Sequence, residues 1–204
     1  MKKMDGVSGV ILAGGKSTRM GRDKRCLPWN GVNLLDSICA VLDPLFDELI
    51  VVTAASDYEL RLASVRSITD EIPGKGSIGG LFSGILHSHN PYSFVVACDM
   101  PYLHSGVVER ICLSPPADLV VVHLLHGIQP LHARYSKKCL PYLEEMIRKD
   151  HLKIQELLVN PALSSIVLDE SQFSDLDPHL RSFINVNTPS DWEFARKAQR
   201  NLPV

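Results

Sequence analysis

Blocks of apolar and polar residues change period along the chain, and the period assigns the elements. Residues 10–13, Val10-Ile11-Leu12-Ala13, form an uninterrupted apolar run that breaks at Gly14-Gly15. Such a run emptying into glycines is the pattern of a buried parallel strand that ends in a ligand-binding loop. After a tight connection over 27–31, residues 33–45 take up helical spacing, with Leu34, Leu35, Ile38, Val41, Leu42 and Leu45 on one face. ELIVVT at 48–53 reads as a second buried strand. Strand, helix and strand in this order predict a right-handed parallel crossover.

The next unit is weaker, with a helical turn at 57–62 and a short strand at 65–69 that ends on Asp70. A second glycine-rich loop, 73–80, feeds a helix at 81–88, and YSFVVA at 92–97 is a strand ending in Cys98-Asp99-Met100-Pro101. A helix at 103–113 stops at Pro115-Pro116, before a strand at 118–124. Within 126–135, Pro130 lacks the N–H that a central strand needs, so this segment is expected as a turn, a short edge segment and a substrate-facing corner. Helices are predicted at 137–148 and 152–158, a small strand at 164–168, a polar loop at 169–179 and a last strand at 181–185. Thr188 or Ser190 is placed to cap a terminal helix at 191–199. The reading is an α/β fold with a mostly parallel central sheet, in a single domain over 1–204.

Length agrees, since 204 residues suit one domain with a substantial core. With 21 basic and 23 acidic residues the formal charge is -2, so no global basic field points to nucleic acid, and an anion site must come from local clustering. No apolar run approaches the roughly 18 residues of a membrane span. Cys26, Cys39, Cys98, Cys112 and Cys139 stand far apart without a C-x-x-C pair. That spacing, the odd count and a start without a secretory leader lead to the expectation of reduced thiols in a cytoplasmic protein.

The chemistry concentrates where the first strand ends. Lys16, Arg19, Arg22 and Lys24 put four cations within nine residues, directly after two glycines. Glycine lets an anion approach backbone N–H groups, and the cations add charge-assisted bonds to phosphoryl oxygens. The Walker spacing fails because Val10 stands where its first glycine belongs, and Gly14, Gly15 and Gly21 do not make G-x-G-x-x-G. A surface turn of solvated cations is the competing explanation. Lys24 and Arg19 are the candidates to stabilise charge on a transferred phosphate, Lys16 is either a helper or a loop cation, and Arg22 points outward.

Asp99, at the carboxyl end of a buried strand, is either a Mg²⁺ ligand beside the phosphates or a cap before Pro101. Ser17, Ser77 and Cys98 lack a sequence-local base, which argues against a covalent route. His123, His126 and His132 match no zinc-ligand spacing, and His132 is either a substrate contact or a satisfied surface histidine.

Together, Leu12-Ala13-Gly14-Gly15, Ser17, Arg19-Met20-Gly21 and Lys24 resemble the signature of the nucleotidyltransferases that activate sugars, sugar alcohols and pterins. Asp70, the loop from Pro73-Gly74 to Gly80, Cys98-Asp99-Met100-Pro101, Gln129-Pro130-Leu131 and Asn185-Val186-Asn187-Thr188-Pro189 extend the likeness nearly end to end. Within that group the chain is most similar to the molybdenum cofactor guanylyltransferases. The resemblance implies a Rossmann-like three-layer sandwich of the nucleotide-diphospho-sugar transferase type. It implies transfer of GMP from Mg-GTP to the terminal phosphate of molybdopterin, or of its molybdenum-loaded form, with release of pyrophosphate.

It further implies a nucleotide site of Leu12, Ala13, Gly14, Gly15, Lys24, Thr53, Asp70, Gly79 and Asp99, with Asp99 on Mg²⁺. Gln129, Pro130, Asn185 and Asn187 would belong to the acceptor. Thr53 and Ser77 stand where the family often has asparagine and proline. The implied partners are GTP, molybdopterin and proteins of molybdopterin synthesis and cofactor insertion, with no nucleic acid or membrane, and the implied state is a monomer or weak oligomer. The paired glycines favour GTP over CTP. Alternatives are a cobinamide phosphate or sugar phosphate acceptor on the same fold, or a nucleotide-binding protein without turnover.

Overall fold

The computed structural model describes residues 3–14, 20–21, 23–54 and 60–200, the last without the side chain of Arg200. In chain order the elements are β1 (Val7–Leu12), β2 (Pro28–Trp29), β3 (Val32–Asn33), α1 (Leu34–Leu42), β4 (Leu49–Thr53), β5 (Val65–Thr69) and α2 (Ser77–His87). They continue with β6 (Tyr92–Ala97), α3 (Ser105–Cys112), β7 (Leu119–Leu124), β8 (Gly127–Ser136), α4 (Leu140–Arg148), β9 (Ser165–Asp169) and α5 (Pro189–Arg200).

Seven strands form one sheet in the order β5-β4-β1-β6-β8-β7-β9, and β2 with β3 makes a separate hairpin. Its turn, Asn30-Gly31, has φ of 49° and 82°, the left-handed pair that joins two strands tightly. β5, β4, β1 and β6 run parallel, as the repeated crossovers require.

Successive residues of the central strands serve opposite faces. Ile11, Val51, Phe94 and Val120 pack in one core with α1, α3 and Trp192 of α5. Val10, Ile50, Val95 and Val121 pack in the other with Ile85 of α2 and Leu143 of α4. The sheet is therefore the middle of three layers, and burial on both faces explains the unbroken apolar runs.

Residues 127–136 depart from expectation. They form a ten-residue strand, β8, in the interior of the sheet and antiparallel to both β6 and β7, rather than a turn and an edge segment. Pro130 is accommodated because pairing with β6 ends at His132, while pairing with β7 shifts register between Val120 and Val122. The proline sits in that irregularity, where no ladder position needs its missing N–H. Tyr135 Oη donates to the Pro130 carbonyl at 2.6 Å and closes the irregular stretch.

Two other expectations change. Residues 181–185 contain a 3-10 turn, Arg181–Phe183, instead of a strand. Asp177 accepts from the N–H groups of Arg181 at 3.0 Å and Ser182 at 2.8 Å, and so draws the backbone into a turn. Within 169–179 a 3-10 turn, Glu170–Phe173, carries a capping box between Asp169 and Gln172 and buries Phe173, so this stretch is more than polar loop. Half of the helical turn expected at 57–62 lies outside the described residues, and residues 60–62 are not helical.

At α5, Thr188 is the residue that caps: its Oγ1 accepts from Asp191 N at 3.2 Å. Asp191 Oδ2 accepts in return from the N–H groups of Asn187 and Thr188. No helix among the described residues is long and apolar enough to cross a membrane.

Candidate active site

β4, β1 and β6 end side by side, and their carboxyl ends form the floor of a cleft of about 920 Å³. Ligands collect at such ends in open α/β sheets. The floor is tied by backbone bonds, from Ala13 N to Val52 O at 2.8 Å and from Cys98 N to Leu12 O at 3.0 Å. One wall carries Leu12, Ala13, Gly14 and Asp70, with Gly74, Gly76 and Ser77 at the start of α2. The other carries Gln129, Pro130 and Leu131 from β8, with Asn185 and Asn187. Both walls meet at Lys24 and Asp99.

Lys24 opens a 3-10 turn, Lys24–Cys26, that Asp23 caps by accepting from Arg25 N at 2.9 Å. The turn aims the lysine inward. Its Nζ donates to Asp99 Oδ2 at 2.9 Å and to Asn187 Oδ1 at 3.0 Å. Asp99 and the segment around Asn187 are joined as well, because Val186 N donates to Asp99 O at 2.8 Å. An ammonium carries three donors, so two protein bonds leave it able to take one more acceptor.

Asp99 Oδ1 is buried and has no hydrogen-bond partner among the described residues. A buried carboxylate oxygen without a donor fits a bound cation. One carboxylate, completed by phosphates and water, is also how Mg²⁺ is usually held. Among the described residues no group of three or more His, Cys, Asp and Glu side chains could hold a metal by itself.

On the first wall, Asp70 Oδ1 accepts from Ile72 N at 3.0 Å and Ser83 Oγ at 2.8 Å. Gly79, expected in contact with nucleotide, is buried beneath this carboxylate: a Cβ there would stand 2.7 Å from Ile72 O and 3.2 Å from Asp70 Oδ2. Thr53 is 1% exposed, and its Oγ1 donates to Ile68 O at 3.3 Å, so its hydroxyl serves the β4–β5 edge. Gly15 and Arg19, with Lys16, Ser17 and Arg22, lie outside the described residues. Burial pushes the Cys98 thiol up to about 12, which keeps it protonated and poorly nucleophilic.

His132 is neither on the surface nor in the cleft. It is wholly buried between Phe94 and Phe183, with ring centroids at 5.4 Å and 4.6 Å, and burial lowers its pKa to about 3. Arg25 is a charged lining residue that was not singled out from the sequence. Its Nη2 and Nε lie 2.7 Å and 2.9 Å from Asp23 Oδ2, and this pairing holds the Asp23 carboxyl below the usual carboxylate range. Its place beside Lys24 in the chain was the available signal.

This three-layer α/β sheet, with a lysine-aspartate pair in the cleft at its carboxyl edge, is that of a nucleotidyltransferase. The chain belongs to the family described as the MobA-like NTP transferase domain, whose model matches residues 9–161. It is 34% identical over 193 residues to the molybdenum cofactor guanylyltransferase of Syntrophotalea carbinolica, covering 93% of this chain and 90% of that protein. With the molybdenum cofactor guanylyltransferase of Desulfosudis oleivorans it shares 30% identity over 198 residues, 96% of each chain. Its fold matches the crystal structure of molybdopterin-guanine dinucleotide biosynthesis protein A from Archaeoglobus fulgidus. That match has a TM-score of 0.81 at 24% identity and covers 96% of this chain and 100% of the other.

Proposed function

We propose that this enzyme transfers GMP from GTP to the terminal phosphate of molybdopterin, forming the guanine dinucleotide and releasing pyrophosphate. An oxygen of the acceptor phosphate attacks the α-phosphorus of GTP and forms the new P–O bond. The bond from that phosphorus to the β-phosphate oxygen breaks, and its electron pair leaves with pyrophosphate. A phosphate monoester is already an anionic nucleophile near neutral pH, so no side chain has to remove a proton and no covalent enzyme intermediate is needed.

The observation that carries this reading is Lys24 held between Asp99 and Asn187 where the two walls meet. In this reading Leu12, Ala13, Gly14, Gly15 and Asp70 receive the guanosine, and Gln129, Pro130, Asn185 and Asn187 receive the pterin. Lys24, helped by Arg19, stabilises the charge that builds on the α-phosphoryl oxygens. Asp99 would hold Mg²⁺, which when bound with GTP supplies further neutralisation of the triphosphate. The identity of the acceptor rests on the curated relatives, both of which are molybdenum cofactor guanylyltransferases. Pyrophosphate release measured with molybdopterin and either GTP or CTP tests the reading. GTP is expected to support release, and equal turnover with CTP, or activity confined to a sugar phosphate acceptor, would overturn it.

A further inference from the structure

Ser83 is completely buried on α2, and a hydroxyl in that position needs partners. It donates to Asp70 Oδ1 at 2.8 Å and accepts from Glu71 N at 2.9 Å. The Gly79 carbonyl, 2.9 Å away, is the other acceptor within reach, and the charged carboxylate is the stronger of the two. Ile72 N also donates to Oδ1, and Asp70 N donates to Thr53 O at 2.8 Å, so the segment is pinned on both sides.

By contrast, Asp70 Oδ2 accepts no hydrogen bond from any described residue, although Asp70 lines the cleft. Four residues earlier on the same helix face, Gly79 provides the space that this arrangement needs.

We propose that Ser83 is a positioning residue for nucleotide selection: by holding Asp70 Oδ1 inside the protein it presents Oδ2 to the nucleoside as a fixed hydrogen-bond acceptor. The inference rests on the guanylyl-transfer reading and assigns its nucleotide wall a supporting part. A carboxylate held at one oxygen is ordered before the ligand arrives, which lowers the cost of binding. Guanosine offers donors at its ring N–H, its 2-amino group and its ribose hydroxyls. A nucleotide lacking the matching donor leaves Oδ2 unpaired, and sites that bond a substrate N–H or O–H reject such analogues strongly.

The test is equilibrium titration of the full chain, with Mg²⁺ present, by GTP, by ATP, which lacks the ring N–H and the 2-amino group, and by 2′,3′-dideoxy-GTP, which lacks both ribose hydroxyls. Wild type, Ser83→Ala, Asp70→Ala and the double variant are compared. Wild type is expected to prefer GTP over at least one analogue. Ser83→Ala should weaken GTP binding on the order of tenfold and shrink that preference, with thermal unfolding used to confirm a native fold. In the Asp70→Ala background Ser83→Ala should add nothing, because it acts through the missing carboxylate. In turnover, KM for GTP should rise while kcat stays within about twofold.

Unchanged GTP affinity in Ser83→Ala, additive losses in the double variant, or equal wild-type affinity for all three nucleotides would each overturn the proposal. A wild-type chain that binds no GTP would instead remove the guanylyl-transfer reading and this inference with it.

Discussion

Lys24 and Asp99 come from segments 75 residues apart and meet at 2.9 Å, with Asn187 on the same ammonium. Before any substrate enters, the cation is held in place by a carboxylate and an amide, so little reorganisation is needed when phosphate arrives. Lys24→Ala and Asp99→Ala should therefore each lower kcat on the order of 10²-fold or more, while circular dichroism remains native. Full transfer activity in both variants would refute the mechanism.

Asn187 was expected on the acceptor side, and the structure ties it to Lys24 as well. Its Oδ1 faces Lys24 because an ammonium can only donate, which turns Nδ2 into a donor available to an acceptor substrate. Asn187→Ala should raise KM for molybdopterin and also reduce kcat by roughly tenfold. A variant indistinguishable from wild type in both constants would show that the bridge is unimportant.

Thr53 and Gly79 yield a contrasting pair of expectations. Thr53→Val removes a hydroxyl bonded to a neighbouring strand and should cost about 1 kcal/mol of stability in urea unfolding, without a change in KM for GTP. Gly79→Ala forces a Cβ against Ile72 O and the Asp70 carboxylate, and should cost about 1–3 kcal/mol and raise that KM.

His132 gives the fold an acid limit. Its folded pKa of about 3 lies below the 6.5 of an unhindered histidine, and the cause is burial. Between those values the unfolded chain binds a proton that the folded chain does not, so stability rises with pH through this window. The contribution is complete above about 6.5 and is lost as pH falls toward 3, on the order of 2 kcal/mol by pH 5. His132→Leu should flatten this limb in urea unfolding at pH 7 and pH 5, and an unchanged slope would count against the assignment.

The parallel half of the sheet was readable because strands buried on both faces, such as residues 10–13 and 92–97, produce apolar runs that few other elements produce. β8 was not, because Pro130 is a valid signal against a central strand, and only its neighbours' register reveals the irregularity that accepts it. At the site, Lys24, Asp70 and Asp99 were legible as charged residues where buried strands end or open into loops. Their partners were not: the bond from Lys24 to Asn187 spans 163 positions, and Ser83 looked like any other helical serine. Thr53 stood at the end of the second strand, where the resemblance implied a nucleotide contact, yet its hydroxyl donates to Ile68 O.

The central claim is attack on the α-phosphorus of GTP by an acceptor phosphate, and following phosphorus labels through one turnover tests it most directly. Incubated with molybdopterin and Mg²⁺, the enzyme should carry label from the α-position of GTP into the dinucleotide product and label from the γ-position into pyrophosphate. Release of γ-label as inorganic phosphate, with no α-label joined to molybdopterin, would contradict the account.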